Sequence, residues 1–319
     1  GRGATMTDTT TPARPARRTT ISDLMKVYRA GERFSVVTAY DHTSAAIVER
    51  SGIPAILVGD SVGMVVHGHD STLPVTIDDM VRHTRWVVDS CSTPLVIADI
   101  PFASTVTVED TVRRAARLMA EGGAGSVKIE GGVAQAASIS ATVNQGIPVV
   151  GHVGLTPQSV HQIGLRVQGR GADAAERVIR DAIAVQDAGA WAVVLELVPA
   201  QLAAEITRRM TIPTIGIGAG GGTNAQIQVF HDLLGLLDWT PRHSRHYAEL
   251  GSDAVRGLTA WRGDVATGQF PTAANSSSMD DADLRTAVAR VDSAGTRRPT
   301  AADAHDMNEA GSQVHRRRG

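Results

Sequence analysis

Short apolar runs that end on an ionisable or imidazole side chain recur through this chain, and they constrain its fold more than any other feature. Residues 55–58 (Ala-Ile-Leu-Val) lead into Gly59, Asp60 and Ser61, and residues 95–98 (Leu-Val-Ile-Ala) lead into Asp99. Ser126 and Val127 precede Lys128 and Glu130, Val149 and Val150 precede His152, and residues 192–195 precede Glu196. Buried parallel strands read as continuous apolar runs, so a polar group at the same end of each predicts one shared rim. In a (β/α)8 barrel that rim is the C-terminal face, where active sites sit. Two aspartates, two glutamates, a lysine and a histidine on one rim predict a metal-assisted site for a small anion.

The rest of the chain is compatible with one such barrel. Its 319 residues are 42% hydrophobic, enough for one large domain, and a formal net charge of −2 excludes a general affinity for nucleic acid or anionic membrane. Aromatic residues make up only 3%, so the core is expected to be built from Val, Ile, Leu and Ala. The single cysteine, Cys91, excludes an intramolecular disulfide framework, fits a reducing cytoplasm, and is read as a packing residue. No apolar run approaches the roughly 20 residues needed to span a bilayer. The first 19 residues, rich in Thr, Arg, Pro and Ala, have no apolar h-region and are expected to be a disordered leader, with Met6 a candidate start.

From about residue 34 to about residue 270 strand-like and helix-like segments alternate. Strands are predicted at about 34–38, 55–58, 95–98, 126–129, 149–152, 192–197, 214–218 and 227–231. Helices are predicted at about 43–51, from 76, at 108–121, 133–144 and 172–187, from Pro199 to about 210, and from about 242. Asp41 and Thr76 stand where helix N-caps are needed. Eight β-α units in roughly 240 residues give a single-domain (β/α)8 TIM barrel over residues 20–271. Residues 272–319 carry few large apolar side chains and end on three arginines; apart from a possible short helix near 281–291, a disordered tail is expected.

Asp60 and Asp99 end neighbouring strands and can share a hard divalent cation such as Mg²⁺; either alone reads sooner as a helix cap or a buried ion pair, but together, with Glu130 on the next strand, they favour a metal. Lys128 and Glu130, two apart on one strand, point to the same side. One can anchor a substrate carboxylate while the other supports the metal's water shell; the alternative is a rim salt bridge between them. His152 is a ligand or a structural hydrogen bonder. Glu196, in apolar local sequence, is the candidate general base, since partial desolvation raises a carboxyl pKa toward the useful range. The glycine-rich run 215–222 resembles a dinucleotide fingerprint only superficially; close packing is preferred to a phosphate site.

With these residues in place, the chain resembles the ketopantoate (3-methyl-2-oxobutanoate) hydroxymethyltransferase family. The matching stretches are Thr38-Ala-Tyr-Asp41, Leu57-Val-Gly-Asp-Ser61, Gly68-His-Asp-Ser-Thr-Leu-Pro-Val-Thr76 and Ala98-Asp-Ile-Pro-Phe102. They continue with Val127-Lys-Ile-Glu-Gly131, Gly151-His-Val-Gly-Leu-Thr-Pro-Gln-Ser159, Val167-Gln-Gly-Arg170, Leu195-Glu-Leu-Val-Pro199 and Ile212-Pro-Thr-Ile-Gly-Ile-Gly-Ala-Gly220. The resemblance implies a homo-oligomeric barrel, commonly a decamer, that uses Mg²⁺ and takes a one-carbon unit from 5,10-methylenetetrahydrofolate in pantothenate biosynthesis. It implies metal binding by Asp60, Asp99 and Glu130, oxo-acid binding by Asp60, Ser61, Asp99, Lys128 and His152, and Glu196 as the base.

The chain departs from the family in four places. Asn224-Ala225-Gln226 replaces Asp-Gly-Gln, which puts a left-handed glycine in question. Leu165-Arg166 replaces an aromatic and a lysine, a closing His-Ser-Phe is missing near residues 274–276, and the tail is additional. Two rivals remain at this stage: a metal-enolate lyase of the isocitrate lyase or phosphoenolpyruvate mutase type, and a non-catalytic paralogue.

Overall fold

A computed structural model of the chain describes residues 17–293. Residues 1–16 of the leader expected over 1–19, and residues 294–319 of the expected tail, lie outside them; residues 17–19 are not disordered, since Arg18 donates to Cys91 O at 2.6 Å and Thr19 N to Thr93 O at 2.7 Å. Eight strands, β1 (Phe34–Thr38), β2 (Ala55–Val58), β3 (Leu95–Asp99), β4 (Ser126–Glu130), β5 (Val149–Gly154), β6 (Ala192–Glu196), β7 (Thr214–Ile217) and β8 (Ala225–Gln228), pair in parallel and close into a barrel in chain order. The helices are α1 (Ile21–Arg29), α2 (His42–Ser51), α3 (Val62–Val65), α4 (Ile77–Ser90), α5 (Val108–Ala120) and α6 (Ala136–Asn144). They continue with α7 (Val160–Ile163), α8 (Ala172–Asp187), α9 (Ala200–Arg209), α10 (Phe230–Leu233), α11 (Leu250–Thr267) and α12 (Asp281–Ser293). The (β/α)8 barrel expected from the strand runs is the fold. Among the described residues no helix is long and apolar enough to cross a membrane.

Strand alternation decides which side chains reach the barrel axis. Leu95 and Ile97 of β3, Val150 of β5, and Ala192 and Val194 of β6 share one interior cluster. Val96, Ala98, Val127, Ile129, Val149, Val153, Val193 and Leu195 pack outward into a second cluster with the helices. Continuing the period of two places Asp99, Lys128, Glu130, His152 and Glu196 on the inner side. At its other end the barrel is closed by α1, which the strand pattern did not predict. Leu24 is buried among Phe34, Ala55, Leu95, Ala192 and Ala225, the first inward residues of their strands.

Capping explains where several helices begin. Asp41 accepts from the backbone N–H of Ser44 at 2.8 Å, and Thr76 and Asp79 form a reciprocal capping box, both at the predicted positions. The last third of the barrel differs from expectation. β8 runs from Ala225 to Gln228 rather than over 227–231, because Phe230 already opens α10, its N–H bound to Thr38 Oγ1 at 2.9 Å. The helix expected from about 242, α11, begins at Leu250.

The link from β7 to β8 contains no helix. Gly220 and Gly222 lie so close on α9 that a Cβ would stand 2.6 Å from Ala200 Cβ and 2.8 Å from Ala204 Cβ. Close packing therefore accounts for the glycine-rich run. Asn224 Oδ1 accepts from Thr214 N at 3.0 Å, and Ala225 is an extended strand residue paired with Ile215, so the departure from Asp-Gly-Gln removes no left-handed glycine.

The chain divides into two compact units at Ala254/Val255. In the second, a capped turn at Ala273–Asn275 precedes α12, and every residue from 255 to 293 is exposed. The short helix expected near residues 281–291 is α12.

Candidate active site

The polar rim is assembled from five strand ends. β2 and β3 run in register through Val58 and Ala98, so Gly59 comes level with Asp99. The chain then turns, and the N–H of Asp60 donates to Asp99 Oδ2 at 3.0 Å. A Cβ on Gly59 would meet Ser61 Oγ at 2.8 Å and Asp99 Oδ2 at 3.5 Å, so this glycine keeps the space before the two aspartates open. Ser61 Oγ is 2.7 Å from the buried Tyr40 hydroxyl, whose burial raises its pKa.

Lys128 Nζ lies 2.9 Å from Asp99 Oδ1 and 4.0 Å from Glu130 Oε1. The rim salt bridge anticipated between Lys128 and Glu130 is thus secondary to the pair with Asp99. His152 Nδ1 is 3.4 Å from Glu130 Oε1, and its Nε2 is 3.1 Å from Glu196 Oε2. Glu196 therefore does not stand in apolar isolation. Its apolar sequence neighbours belong to the strand's outward face and to the turn, while its actual neighbour is an imidazole. Its side chain is 18% exposed, the most accessible of these carboxylates whose exposure is at issue, and so it can be reached from the barrel mouth.

The charges act on one another strongly because water is excluded. Burial, then the charges of Asp99 and Glu130, push the Asp60 carboxyl well above its ordinary range against the opposing pull of Lys128 and Gln158. Burial also raises Asp99, with Lys128 opposing. For Lys128 burial favours the neutral amine, but Asp99, Glu130 and Asp60 outweigh it and hold the ammonium. Burial would raise Glu130; His152 and Lys128 prevail and lower it. At His152, burial and Lys128 (Nζ 3.0 Å from Nδ1) oppose protonation, yet Glu130 and Glu196 raise the pKa to about 9.

Four carboxylates face one ammonium and one imidazole here, and the raised Asp60 and Asp99 carboxyls mark crowded negative charge that a bound cation would relieve. Asp99 Oδ1 is buried and, although close to Lys128, has no aligned hydrogen-bond partner. These observations fit a hard divalent cation held by two carboxylates, with water and substrate oxygens completing its shell. Among the described residues no three His, Cys, Asp or Glu side chains converge as a metal-binding group. Glu130 is engaged by His152 and by the N–H of Gln158 at 3.1 Å, as Asp60 is by the Gln158 amide and Asp99 by Lys128.

Two contributors were not singled out from sequence. Tyr40 supports Ser61, and Gln158 reaches Asp60 Oδ2 at 2.8 Å. Neither belongs to an apolar run that ends in charge; their only signal was membership of the Thr-Ala-Tyr-Asp and Thr-Pro-Gln stretches. Cys91 is buried beside α4, its Sγ donating to Val87 O, in keeping with a packing role.

Comparison with known proteins agrees with this geometry. The profile of the ketopantoate hydroxymethyltransferase family matches residues 18–273. A 3-methyl-2-oxobutanoate hydroxymethyltransferase from Chloroflexus aggregans is 54% identical over 276 residues, spanning 86% of this chain and 99% of its own. Among solved structures, a phosphonopyruvate hydrolase superposes with a TM-score of 0.55 at 14% identity, covering 88% of this chain and all of its own (100%). A 2,3-dimethylmalate lyase, of the PEP mutase/isocitrate lyase superfamily, gives 0.53 at 18% identity, covering 86% and 98%. At such identities the structural likeness speaks to the barrel alone.

Proposed function

The chain belongs to the ketopantoate hydroxymethyltransferase family, a family of transferases, and from that premise we propose that it moves a hydroxymethyl group onto 3-methyl-2-oxobutanoate. The donor is 5,10-methylenetetrahydrofolate and the product 2-dehydropantoate, a precursor of pantothenate, made in the cytoplasm. One observation carries the reading: Asp60, Asp99, Lys128, Glu130, His152 and Glu196 meet at one barrel mouth, with base and carboxylate pair on different strands.

Asp60 and Asp99 would hold Mg²⁺, which when bound polarises the keto oxygen and carboxylate of the oxo-acid. Lys128 supplies a fixed ammonium for that carboxylate, and Ser61, held by Tyr40, offers a hydroxyl. Glu196 takes the proton from C3, leaving an enolate that forms the C–C bond to the one-carbon unit. Water supplies the new hydroxyl, and tetrahydrofolate leaves. His152 keeps Glu196 oriented between turnovers, and Glu130 and Lys128 hold His152 in place. Because these donors and charges are fixed before substrate arrives, they favour the developing enolate without reorganisation.

Homo-oligomeric assembly, a decamer on the family resemblance, belongs to the same proposal; the exposed Val255, Leu258, Trp261 and Val265 of α11 support it. The rival metal-enolate lyase shares the barrel but not the close sequence kinship. Product formation from the oxo-acid, with and without Mg²⁺ and methylenetetrahydrofolate, tests the reading. Dehydropantoate should form only with both present, whereas C–C cleavage without folate would favour the lyase.

A further inference from the structure

The loop that leaves β5 reaches the strand ends that carry Glu196, Glu130, Asp60 and Asp99. Gly154 has φ +90°, and a Cβ there would stand 2.4 Å from the carbonyl oxygen of Glu196. The next residue, Leu155, donates its N–H to that same carbonyl at 2.8 Å. Thr156 and Pro157 then lead into a single tight turn, closed by Ser159 N on Thr156 O at 2.9 Å. The turn presents Gln158. Its backbone N–H donates to Glu130 Oε2 at 3.1 Å, and its side-chain Nε2 donates to Asp60 Oδ2 at 2.8 Å and to Ile100 O at 2.9 Å.

The amide has only one orientation available. Both groups facing it, a carboxylate oxygen and a backbone carbonyl, are acceptors, so the NH₂ end must face them and both its hydrogens are used. Ile100 follows Asp99 directly. One side chain therefore fixes the Asp60 carboxylate relative to the backbone that carries Asp99, while its own N–H fixes Glu130. Oδ2 of Asp60 is committed to the amide, which turns Oδ1 toward other partners.

We infer that Gln158 is the positioning residue that sets the distance and orientation between Asp60 and Asp99 for a divalent cation and the oxo-acid. The inference rests on the proposed function. Gln158 acts through the two aspartates and touches no reacting atom. It also couples the carboxylate pair to the Glu196 strand end through the three peptide links from Leu155 to Gln158, so metal site and base keep a common frame.

Gln158→Met preserves length and bulk and removes both donors. Mn²⁺ affinity, read by electron paramagnetic resonance without substrate, should fall about tenfold, in the range measured for outer partners of metal ligands. KM for the oxo-acid should rise by a similar factor with kcat less affected, and the melting temperature should stay near that of the parent. Gln158→Asn, one methylene shorter, withdraws the amide from Asp60; it should show the same loss and serves if the Met variant does not fold. Gln162→Met, in the following helix α7 and with no hydrogen bond to these carboxylates, should change neither quantity. Mn²⁺ affinity within twofold of the parent in the folded Gln158 variants would overturn this inference and leave the proposed reaction standing. Failure of the unsubstituted protein to bind Mn²⁺ would overturn the metal reading itself, and this inference with it.

Discussion

Asp99 shows how one side chain acquires several tasks from its place on a strand. It is the third inward residue of β3, so it reaches the barrel mouth just where apolar packing ends. There it accepts from Asp60 N and pairs with Lys128. Removing one charge from such a buried group unbalances its neighbours, because the Lys128 ammonium is stabilised chiefly by Asp99. Asp99→Asn should leave the barrel folded, as judged by circular dichroism, and weaken Mg²⁺ binding at least about tenfold in calorimetry. Unchanged metal affinity would move the cation elsewhere. At this scale much was legible: the inward carboxylates, lysine and histidine follow from apolar runs and a period of two. The pairing among them was not, because Lys128 chooses Asp99 across the sheet over Glu130 on its own strand. Cross-strand register is invisible to local pattern, and so was the neutral Gln158, which no charge or periodicity marks.

Elements were legible where their ends carry chemical signals. Thr76 and Asp41 announce α4 and α2 through side chains that bond to orphan backbone N–H groups. Misplacement came where such signals are weak. The β7–β8 link replaces a helix by glycines pressed on α9, and β8 is cut short by α10. α1 was missed because its stabilising partner is the barrel's closed end, far away in sequence. The short α10 also carries a testable cost. Burial raises the Asp232 carboxyl from its ordinary 3.8 to about 6, with His246 opposing only in part. The folded state therefore binds this proton more tightly than the unfolded chain. Its contribution to stability is full below about pH 4 and is lost as pH rises through about 6. Asp232→Asn should consequently raise the melting temperature relative to the parent at pH 7–8, and by less at pH 5. An offset independent of pH would show that ionisation of Asp232 is not the cause.

For the whole molecule, the barrel encloses the chemistry, and the described residues beyond it are exposed. Residues 271–293 bury nothing, and α12 exposes Leu284, Val288 and Val291. Truncation after Phe270 should leave folding and turnover largely intact, since few apolar contacts are lost. Sedimentation checks the same variant for assembly: a fall to smaller oligomers would show that the segment is part of the quaternary structure. The boundary expected at 271/272 is a statement about function, to be judged by that experiment.

The central claim is that Glu196 removes the C3 proton of the oxo-acid. Its carboxylate is accessible from the barrel mouth, it is oriented by His152, and it stands on β6 while the carboxylate pair stands at β2 and β3. Glu196→Gln keeps shape and hydrogen bonding and removes the base. Exchange of the C3 proton of 3-methyl-2-oxobutanoate with deuterated water, followed by NMR with Mg²⁺ and without folate, isolates that step from the rest of the reaction. Exchange should fall roughly 10²–10⁴-fold in the variant, with substrate and metal binding little changed. If Glu196→Gln exchanges the proton as fast as the parent, another group is the base and the mechanism is wrong.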